Sequence, residues 1–266
     1  AEKDGALVGY GQMGETAVGS GTFHLDPHVD TAVQGGGLIH RLYNHLHDRA
    51  LTSQPQRLYA SIRENQTQKL AWLSSHGFQM GRRYPVSYLD VAAFDPTPYA
   101  ELRARVVASG IDIVALDVLA RRDSAWQQRV HALDQALIQD VAAHEPQPAR
   151  TLAQFAHDEF EHPNFLPDGW LIALDGERYV GLSTLAMRGG QTKRLAVGLT
   201  GVRRDYRRRG IATALKVAAI EAAQRLGADL IVAGNAAGSP MFAINRRLGF
   251  VAQPAWLDWT KEMGER

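Results

Sequence analysis

The sequence predicts a mixed α/β protein made of two similar domains in tandem. Residues 195–202 alternate as a strand does, a turn rich in arginine follows, and Leu215, Ala222 and Leu226 recur at helical spacing. With 266 residues, 45% hydrophobic and 21% charged, the chain suits one large globular domain or two of about 130 residues. Landmarks also recur 172 positions apart: Val8-Gly9 with Val180-Gly181, and His76-Gly77-Phe78 with Leu248-Gly249-Phe250.

Near the start, residues 9–14 match the spacing Gly-x-Gly-x-x-Gly of dinucleotide-binding folds. Such a site needs a helix directly after the glycines. Residues 15–23 instead contain glycines and threonines without a helical period. We therefore predict a hairpin here and no dinucleotide site.

Two helices and a strand follow in the first half. Leucines indicate a helix along residues 38–46, and a second helix near residues 70–73 ends at Gly77. Phe78 opens the next strand, and residues 86–94 have the composition of further strand.

Pro96 and Pro98 mark the break between the predicted domains. We place an N-terminal domain at residues 1–98 and a C-terminal domain at residues 99–266. The first copy lacks the leading strand and two helices of the second, about 60 residues, so we expect it to be truncated at its N-terminus, with residues missing upstream.

The second half contains further alternating elements. Asp123 or Ser124 is predicted to cap the helix at residues 126–141, and Asp175-Gly176 is predicted to form a hairpin turn. Ser239, Pro240 and Gly249 are typical of the start and end of the last helix. The predicted order is strand 111–119, helix 126–141, short helix 152–160, strands 170–174 and 178–187, strand 195–202, the helix ending at Gly227, strand 229–232 and helix 239–248.

The turn that closes on Gly210 and Ala212 predicts an anion site. Backbone N–H groups at a helix start are unpaired, the helix dipole favours an anion, and small residues let it approach. No Gly-Lys-Ser/Thr follows, so the pattern differs from a P-loop. Five of residues 203–209 are arginine, but without an aromatic platform and with a net charge of +1 they do not indicate nucleic acid.

Composition excludes several other classes. The chain has no cysteine, hence no disulfide framework or thiolate metal site. His40 and His47 lack a carboxylate at a metal-ligand spacing, so we expect surface histidines and no metal. No apolar run reaches the roughly 20 residues that span a bilayer. We expect a cytoplasmic protein without membrane partners.

Residues 207–212, Arg-Arg-Arg-Gly-Ile-Ala, resemble the Gln/Arg-x-x-Gly-x-Gly/Ala signature of the GNAT acetyltransferase superfamily. Residues 245–250 resemble its last helix and Gly-Phe end, and the likeness covers residues 111–260 well and 5–95 more weakly. The resemblance implies two tandem GNAT-like domains, each a central mixed, mostly antiparallel sheet flanked by helices. It also implies acyl transfer, with acetyl-CoA as the expected co-substrate, to a small-molecule amine, and a homodimer is compatible with it.

The resemblance also implies which residues bind acyl-CoA. The backbone of Thr200, Gly201 and Val202 would pair with the pantetheine arm, which Asn235 would also contact. The pyrophosphate would be held by Arg207, Arg208, Arg209, Gly210, Ile211 and Ala212.

The catalytic groups depart from the family pattern. Many members have a tyrosine acid at the position of Asn245, and asparagine donates a hydrogen bond but no proton. We take Asn245 and Glu159 as candidate catalytic residues, with Asp158 and Glu161 in the segment that usually covers the acceptor. The alternative for this acidic cluster is a solvated helix end.

In the first copy, Gln34 and Gly37 keep the signature but Ile39 replaces its last small residue. A branched side chain there would crowd a diphosphate, so we expect a domain kept for architecture or for walling the acceptor site. Two functions remain open: an acyl-CoA-dependent N-acyltransferase and a non-catalytic CoA-binding or scaffold protein.

Overall fold

A computed structural model of the chain describes residues 1–17, 19–33, 37–139, 149–234 and 239–264. The chain packs into two compact units. Unit 1 comprises Ala1–Pro85 and Pro254–Arg266, and unit 2 comprises Val86–Gln253.

The sheet of unit 1 is built around the hairpin predicted from the glycine-rich start. After two short strands, β1 (Glu2–Lys3) and β2 (Ala6–Leu7), β3 (Gly9–Glu15) pairs antiparallel with β4 (Thr22–Val29). β4 then pairs parallel with β5 (Arg57–Arg63). Residues 9–15 and 22–29 therefore form the two strands of the predicted hairpin.

Two helices, α1 (Leu38–Leu51) and α2 (Thr67–Ser75), form the core of unit 1 with one face of this sheet. Leu25 of β4 and Leu58 of β5 pack there with Tyr43 and Trp72. His47, expected on the surface, lies edge-on to Trp72, and its side chain is only 16% exposed. His47 therefore lies on the face of α1 that packs against the core.

Unit 2 contains the longer succession of elements. Its helices are α3 (Ala100–Ala108), α4 (Leu116–Arg122), α5 (Trp126–Ile138), α6 (Leu152–Phe155, continued by a π-helical turn Ala156–Phe160), α7 (Ile211–Arg225) and α8 (Pro240–Arg247). Its strands are part of β6 (Gln79–Asp90), then β7 (Ile111–Ala115), β8 (Trp170–Asp175), β9 (Arg178–Arg188), β10 (Gln191–Val202) and β11 (Leu230–Gly234), followed by the start of β12 (Val251–Glu262).

The sheet of unit 2 has the order β6-β11-β10-β9-β8-β7 and is mixed but mostly antiparallel. Alternate residues of β8 enter different cores because strand side chains point to opposite faces. Leu171 packs with α7 in one core, whereas Ile172 packs with α4, α5 and α6 in the other. The sheet is therefore sandwiched between two helical layers.

Corresponding landmarks confirm the tandem fold. Gly37 precedes α1 with a φ of 67°, and Gly210 precedes α7 with a φ of 84°. Gly77 and Gly249 end α2 and α8, also at positive φ. In both units these elements accompany one parallel strand pair, β4 with β5 and β10 with β11.

The last strand of each repeat pairs within the unit of the other. β12 follows the second repeat, yet its residues 256–262 pair with β5 in unit 1. β6 follows the first repeat, yet its residues 86–90 pair with β11 in unit 2. Packing thus groups residues 86–98 with unit 2 and residues 254–266 with unit 1. The predicted boundary between residues 98 and 99 separates the two repeats along the sequence and is a different division.

Several local predictions were wrong or incomplete. β5 and α3 were missed, and residues 116–119 are helix rather than strand. Asp123 accepts a bond from Ala125 N but is not the N-cap of α5, which is Ala125. Ser239 does cap α8, accepting from Phe242 N. In the part of the chain that the structure describes, no helix has the length and apolar character to cross a membrane.

Candidate functional site

Strand β10 has an unpaired edge in unit 2. Its pairing with β9 reaches Val202, but its parallel pairing with β11 ends at Ala196, opposite Val232. Among the described residues no strand pairs with residues 197–202 on the β11 side, where alternate residues present their backbone N–H and C=O groups. Thr200 and Val202 face this side, whereas the backbone groups of Gly201, which was predicted to pair there too, face Leu182 of β9.

A bulge in β10 shapes this edge. Val197 lies opposite Leu185 and Thr200 opposite Ser183, so β10 has one residue more than β9 in this interval. Bulges bend a strand and are frequent beside functional sites. A β-carbon on Gly198 would overlap Thr184 Oγ1, which hydrogen-bonds Leu199 O at 3.4 Å.

Replacing Gly198 by alanine is expected to destabilise unit 2 by about 1 kcal/mol, because the added methyl group displaces the hydroxyl of Thr184 from its bond to Leu199 O, although Gly198 itself is exposed. In a Thr184→Ala background the same substitution should cost much less, since the remaining neighbours lie 3.7 Å or more from the new β-carbon. Urea unfolding of the four proteins in this double-mutant cycle measures the coupling. Equal costs in both backgrounds would contradict the assigned collision.

The turn after β10 is held by its own side chains. Arg203 Nε donates to Tyr179 O at 2.9 Å, and Arg207 Nε donates to Val202 O at 3.0 Å. Tyr206 OH donates to Asp175 Oδ2 at 2.7 Å, a bond that raises the pKa of Tyr206. These residues fix the path of the chain into α7, and the hydroxyl of Tyr206 is directed to Asp175.

The predicted cradle lies at the start of α7. Arg208 and Gly210 both have left-handed backbones, with φ of 61° and 84°. The first-turn N–H groups from Ile211 onward have no acceptor within the helix, and the helix dipole adds positive potential there. Arg209 lies over the Tyr206 ring at 5.1 Å, and Arg208 is exposed. The chain therefore runs from the edge of β10 through residues 203–209 to the helix start that is the candidate anion site.

Two asparagines were predicted beside this edge. Asn235 lies outside the described residues, just after β11. Asn245 is fully buried in α8. Closer to the bulge, the hydroxyls of Ser183 and Thr200 are hydrogen-bonded at 2.9 Å, and Ser183 is buried. Sequence reasoning missed this hydroxyl pair because it joins two strands across the bulge.

The acidic cluster after α6 is compensated by an arginine. Arg150 lies 2.9 Å from Glu159, 3.4 Å from Asp134 and 3.6 Å from Asp158. Burial raises the pKa of Asp134, although Arg150 acts against that effect. Glu161 pairs instead with His157 at 3.1 Å, and both are well exposed. Glu159 is thus held by a fixed cation, whereas Asp158 is half exposed.

An unexpected lysine lies inside α7. Lys216 is 3% exposed, and its Nζ lies 5.6 Å from the centre of the Phe250 ring. Among the described residues no carboxylate lies within ion-pair distance of it. Burial lowers its pKa to about 8. A lysine at a helical core position gives no sequence signal, since lysine normally marks the solvent face.

The matching edge in unit 1 differs in chemistry. β4 and β5 pair only from Thr22 to His24, which leaves the following part of β4 open. Pro27 on that edge has no N–H group, and Lys69 Nζ donates to its carbonyl at 2.8 Å. Ile39 was expected to crowd a diphosphate at the helix start. Its side chain is instead buried in the core of unit 1. Residues 34–36 of the predicted loop lie outside the described residues.

Comparisons with known proteins agree with this geometry. Residues 131–250 match the family model described as Acetyltransferase (GNAT) family. A search of curated protein sequences finds no match.

Solved structures share the fold of nearly the whole chain. A GCN5-related N-acetyltransferase from Sphaerobacter thermophilus aligns with TM-score 0.67 and 20% identity over 97% of this chain and 78% of its own. A tandem GNAT protein from the clavulanic acid biosynthesis pathway aligns with TM-score 0.68 and 20% identity over 100% of this chain and 82% of its own. A glucosamine N-acetyltransferase region of a fungal multi-domain beta-N-acetylglucosaminidase aligns with TM-score 0.66 and 14% identity over 97% of this chain and 32% of its own.

Proposed function

Because residues 131–250 form an acetyltransferase domain of the GNAT family, we propose that this chain moves an acetyl group from acetyl-CoA to an amine. One observation carries the proposal: the edge of β10 that has no strand partner among the described residues is followed, through residues 203–209, by the helix start at Gly210. Acyl-CoA has the matching chemistry, since its pantetheine arm carries two amides and its pyrophosphate is an anion. An edge pairs with amides as with an added strand.

The edge of β10 would bind the pantetheine arm of acetyl-CoA, and the start of α7 would bind its pyrophosphate. Thr200 and the N–H of Val202 would pair with the pantetheine amides, while the carbonyl of Val202 already accepts from Arg207. The backbone groups of Gly201 face Leu182 of β9 instead. The pyrophosphate would meet the N–H groups of Gly210, Ile211 and Ala212. Arg208 and Arg209 would add charge-assisted contacts at the cradle. Asn235 would lie beside the arm.

The reaction would be direct attack. The neutral amine forms a bond to the thioester carbonyl carbon, the carbon–sulfur bond breaks, and the amine proton leaves as the thiolate gains one. Asn245 would supply no proton, and because it is fully buried it would reach the sulfur only if α8 moved. Asp158 and Glu161 would attract a cationic acceptor, and Glu159 would accept a proton only after leaving Arg150. Positioning would therefore supply most of the rate.

Each chain would hold one acyl-CoA. In unit 1 the ammonium of Lys69 already occupies the Pro27 carbonyl, and proline offers no donor in return. An amide chain could not pair with that segment of β4 as it could with β10. We therefore assign unit 1 a role other than cofactor binding.

Thiol release in the presence of amines tests the activity. We expect acetyl-CoA mixed with the protein to release free CoA faster with at least one of a small amine, an amino acid, a peptide and an aminoglycoside antibiotic. The chain has no cysteine, so a thiol reagent reports CoA alone. Binding of acetyl-CoA without release by any acceptor would favour the alternative, a non-catalytic CoA-binding scaffold, which the asparagine at position 245 supports.

A further inference from the structure

Unit 1 has a cavity of about 510 Å³ on one face of its sheet. Its lining includes Asp26 and His28 of β4, Tyr59 and Ser61 of β5, and Asp258 of β12. The volume exceeds that of a single sugar ring or a short amine. No part of the proposed acyl-CoA site, which lies in unit 2, contributes to it.

Strand alternation separates this face from the core. Leu25 of β4 and Leu58 of β5 are fully buried on the side of α1 and α2. Their neighbours Asp26 and Tyr59 point the other way, as the period of two requires. The second face is therefore polar by sequence, and it is unsuited to packing against an apolar helix.

Asp258 is the best-fixed charge of the cavity. Tyr59 OH donates to its Oδ1 at 2.6 Å, and the Tyr84 hydroxyl also donates to this carboxylate. Burial, followed by the bond to Asp258, raises the pKa of Tyr59, so the phenol stays a neutral donor. Within the described ranges, no lysine, arginine or histidine lies at ion-pair distance from Asp258.

The remaining charges leave the cavity with more negative than positive groups. Asp26 lies 2.9 Å from His28 Nε2, a pair that is ionic only when the imidazole is protonated. The ammonium of Lys69 is directed to the Pro27 carbonyl. The lining thus contains two carboxylates and one lysine, whose ammonium already has a hydrogen-bond acceptor, with His24 and His28 as its imidazoles.

We propose that this cavity binds a small hydrophilic amine as its ammonium cation. Asp258, held by two phenols, would be the counter-ion, and Asp26 the second acceptor. The hydroxyl of Ser61 and the amide of Gln66 would bind hydroxyl or amino groups of the same ligand. A partly buried carboxylate without a cation gains more from an ammonium group than from a neutral donor.

Binding of matched pairs tests the proposal without acyl-CoA, so its outcome is independent of the proposed function. The probes are glucosamine with glucose, and putrescine with 1,4-butanediol, which differ by replacement of ammonium by hydroxyl. Changes in the NMR signals of labelled protein give site and affinity. We expect at least one amine to shift residues around Asp258 and to bind at least about tenfold more tightly than its alcohol.

Asp258→Asn removes the charge but keeps an oxygen that can accept from Tyr59. This variant should bind the amine at least about tenfold more weakly, whereas Asp48→Asn, an exposed control on α1, should bind as the original protein does. Unchanged signals near Asp258 with both amines would overturn the proposal. So would equal affinity for amine and alcohol, or equal affinity of the Asp258→Asn protein.

Discussion

Gly210→Val is expected to weaken acetyl-CoA binding at least about tenfold in calorimetry. Gly210 has a φ of 84°, and a branched residue there costs about 1–2 kcal/mol. The turn would escape this strain by rotating, which would misalign the N–H groups of Ile211 and Ala212. A tenfold loss corresponds to about 1.4 kcal/mol.

Gly210→Asn is the matched control, because asparagine tolerates left-handed backbone. A β-carbon at this position would lie 3.5 Å from Leu102, an ordinary contact. We expect near-original affinity for this variant and a stoichiometry of one acetyl-CoA per chain. Equal binding by the valine and asparagine proteins would remove Gly210 from the cradle.

Lys216→Met is expected to raise the free energy of unfolding at pH 7 by up to about 3 kcal/mol. The pKa of Lys216 falls from 10.5 to about 8 on folding, and each unit corresponds to about 1.4 kcal/mol. Below pH 8 the ammonium is charged in both states, and the folded state bears the full cost of burying it. Between pH 8 and 10.5 the unfolded state binds more protons, so the stability of the original protein rises with pH.

Urea unfolding at several pH values measures the difference between the two proteins, which should shrink from pH 8 to 10.5. Lys193→Met serves as control, since Lys193 is exposed and pairs with Asp229 at 3.3 Å. It should change stability little at any pH. A pH-independent gain in the Lys216→Met protein would show that better packing, rather than relief of a buried charge, stabilises it.

Sequence patterns succeeded where structure depends on neighbours in the chain. The strand, turn and helix around Gly210, the hairpin at Asp175 and the cap at Ser239 are all local, and each has the expected form. β5 was missed although Leu58, Ala60 and Ile62 alternate, because such a short run resembles many others until a partner strand is known.

Long-range contacts explain what the sequence left open at the site. The collision between Gly198 and Thr184, the arginine that holds Glu159 and the lysine that reaches Pro27 all join residues on different elements, nine to 42 positions apart. No spacing rule relates such residues. The resemblance supplied the candidate cradle, whereas the proposal of one cofactor site per chain rests on Lys69 and Pro27.

The pairing of β12 with β5, and of β6 with β11, has a consequence for the inheritance of this chain. A recombination that replaced one repeat would carry away a strand on which the other repeat depends, and leave a sheet with an open edge. The two halves are therefore expected to evolve as one gene segment. A probe attached near residue 262 would report on the folding of the first repeat, although it follows the second.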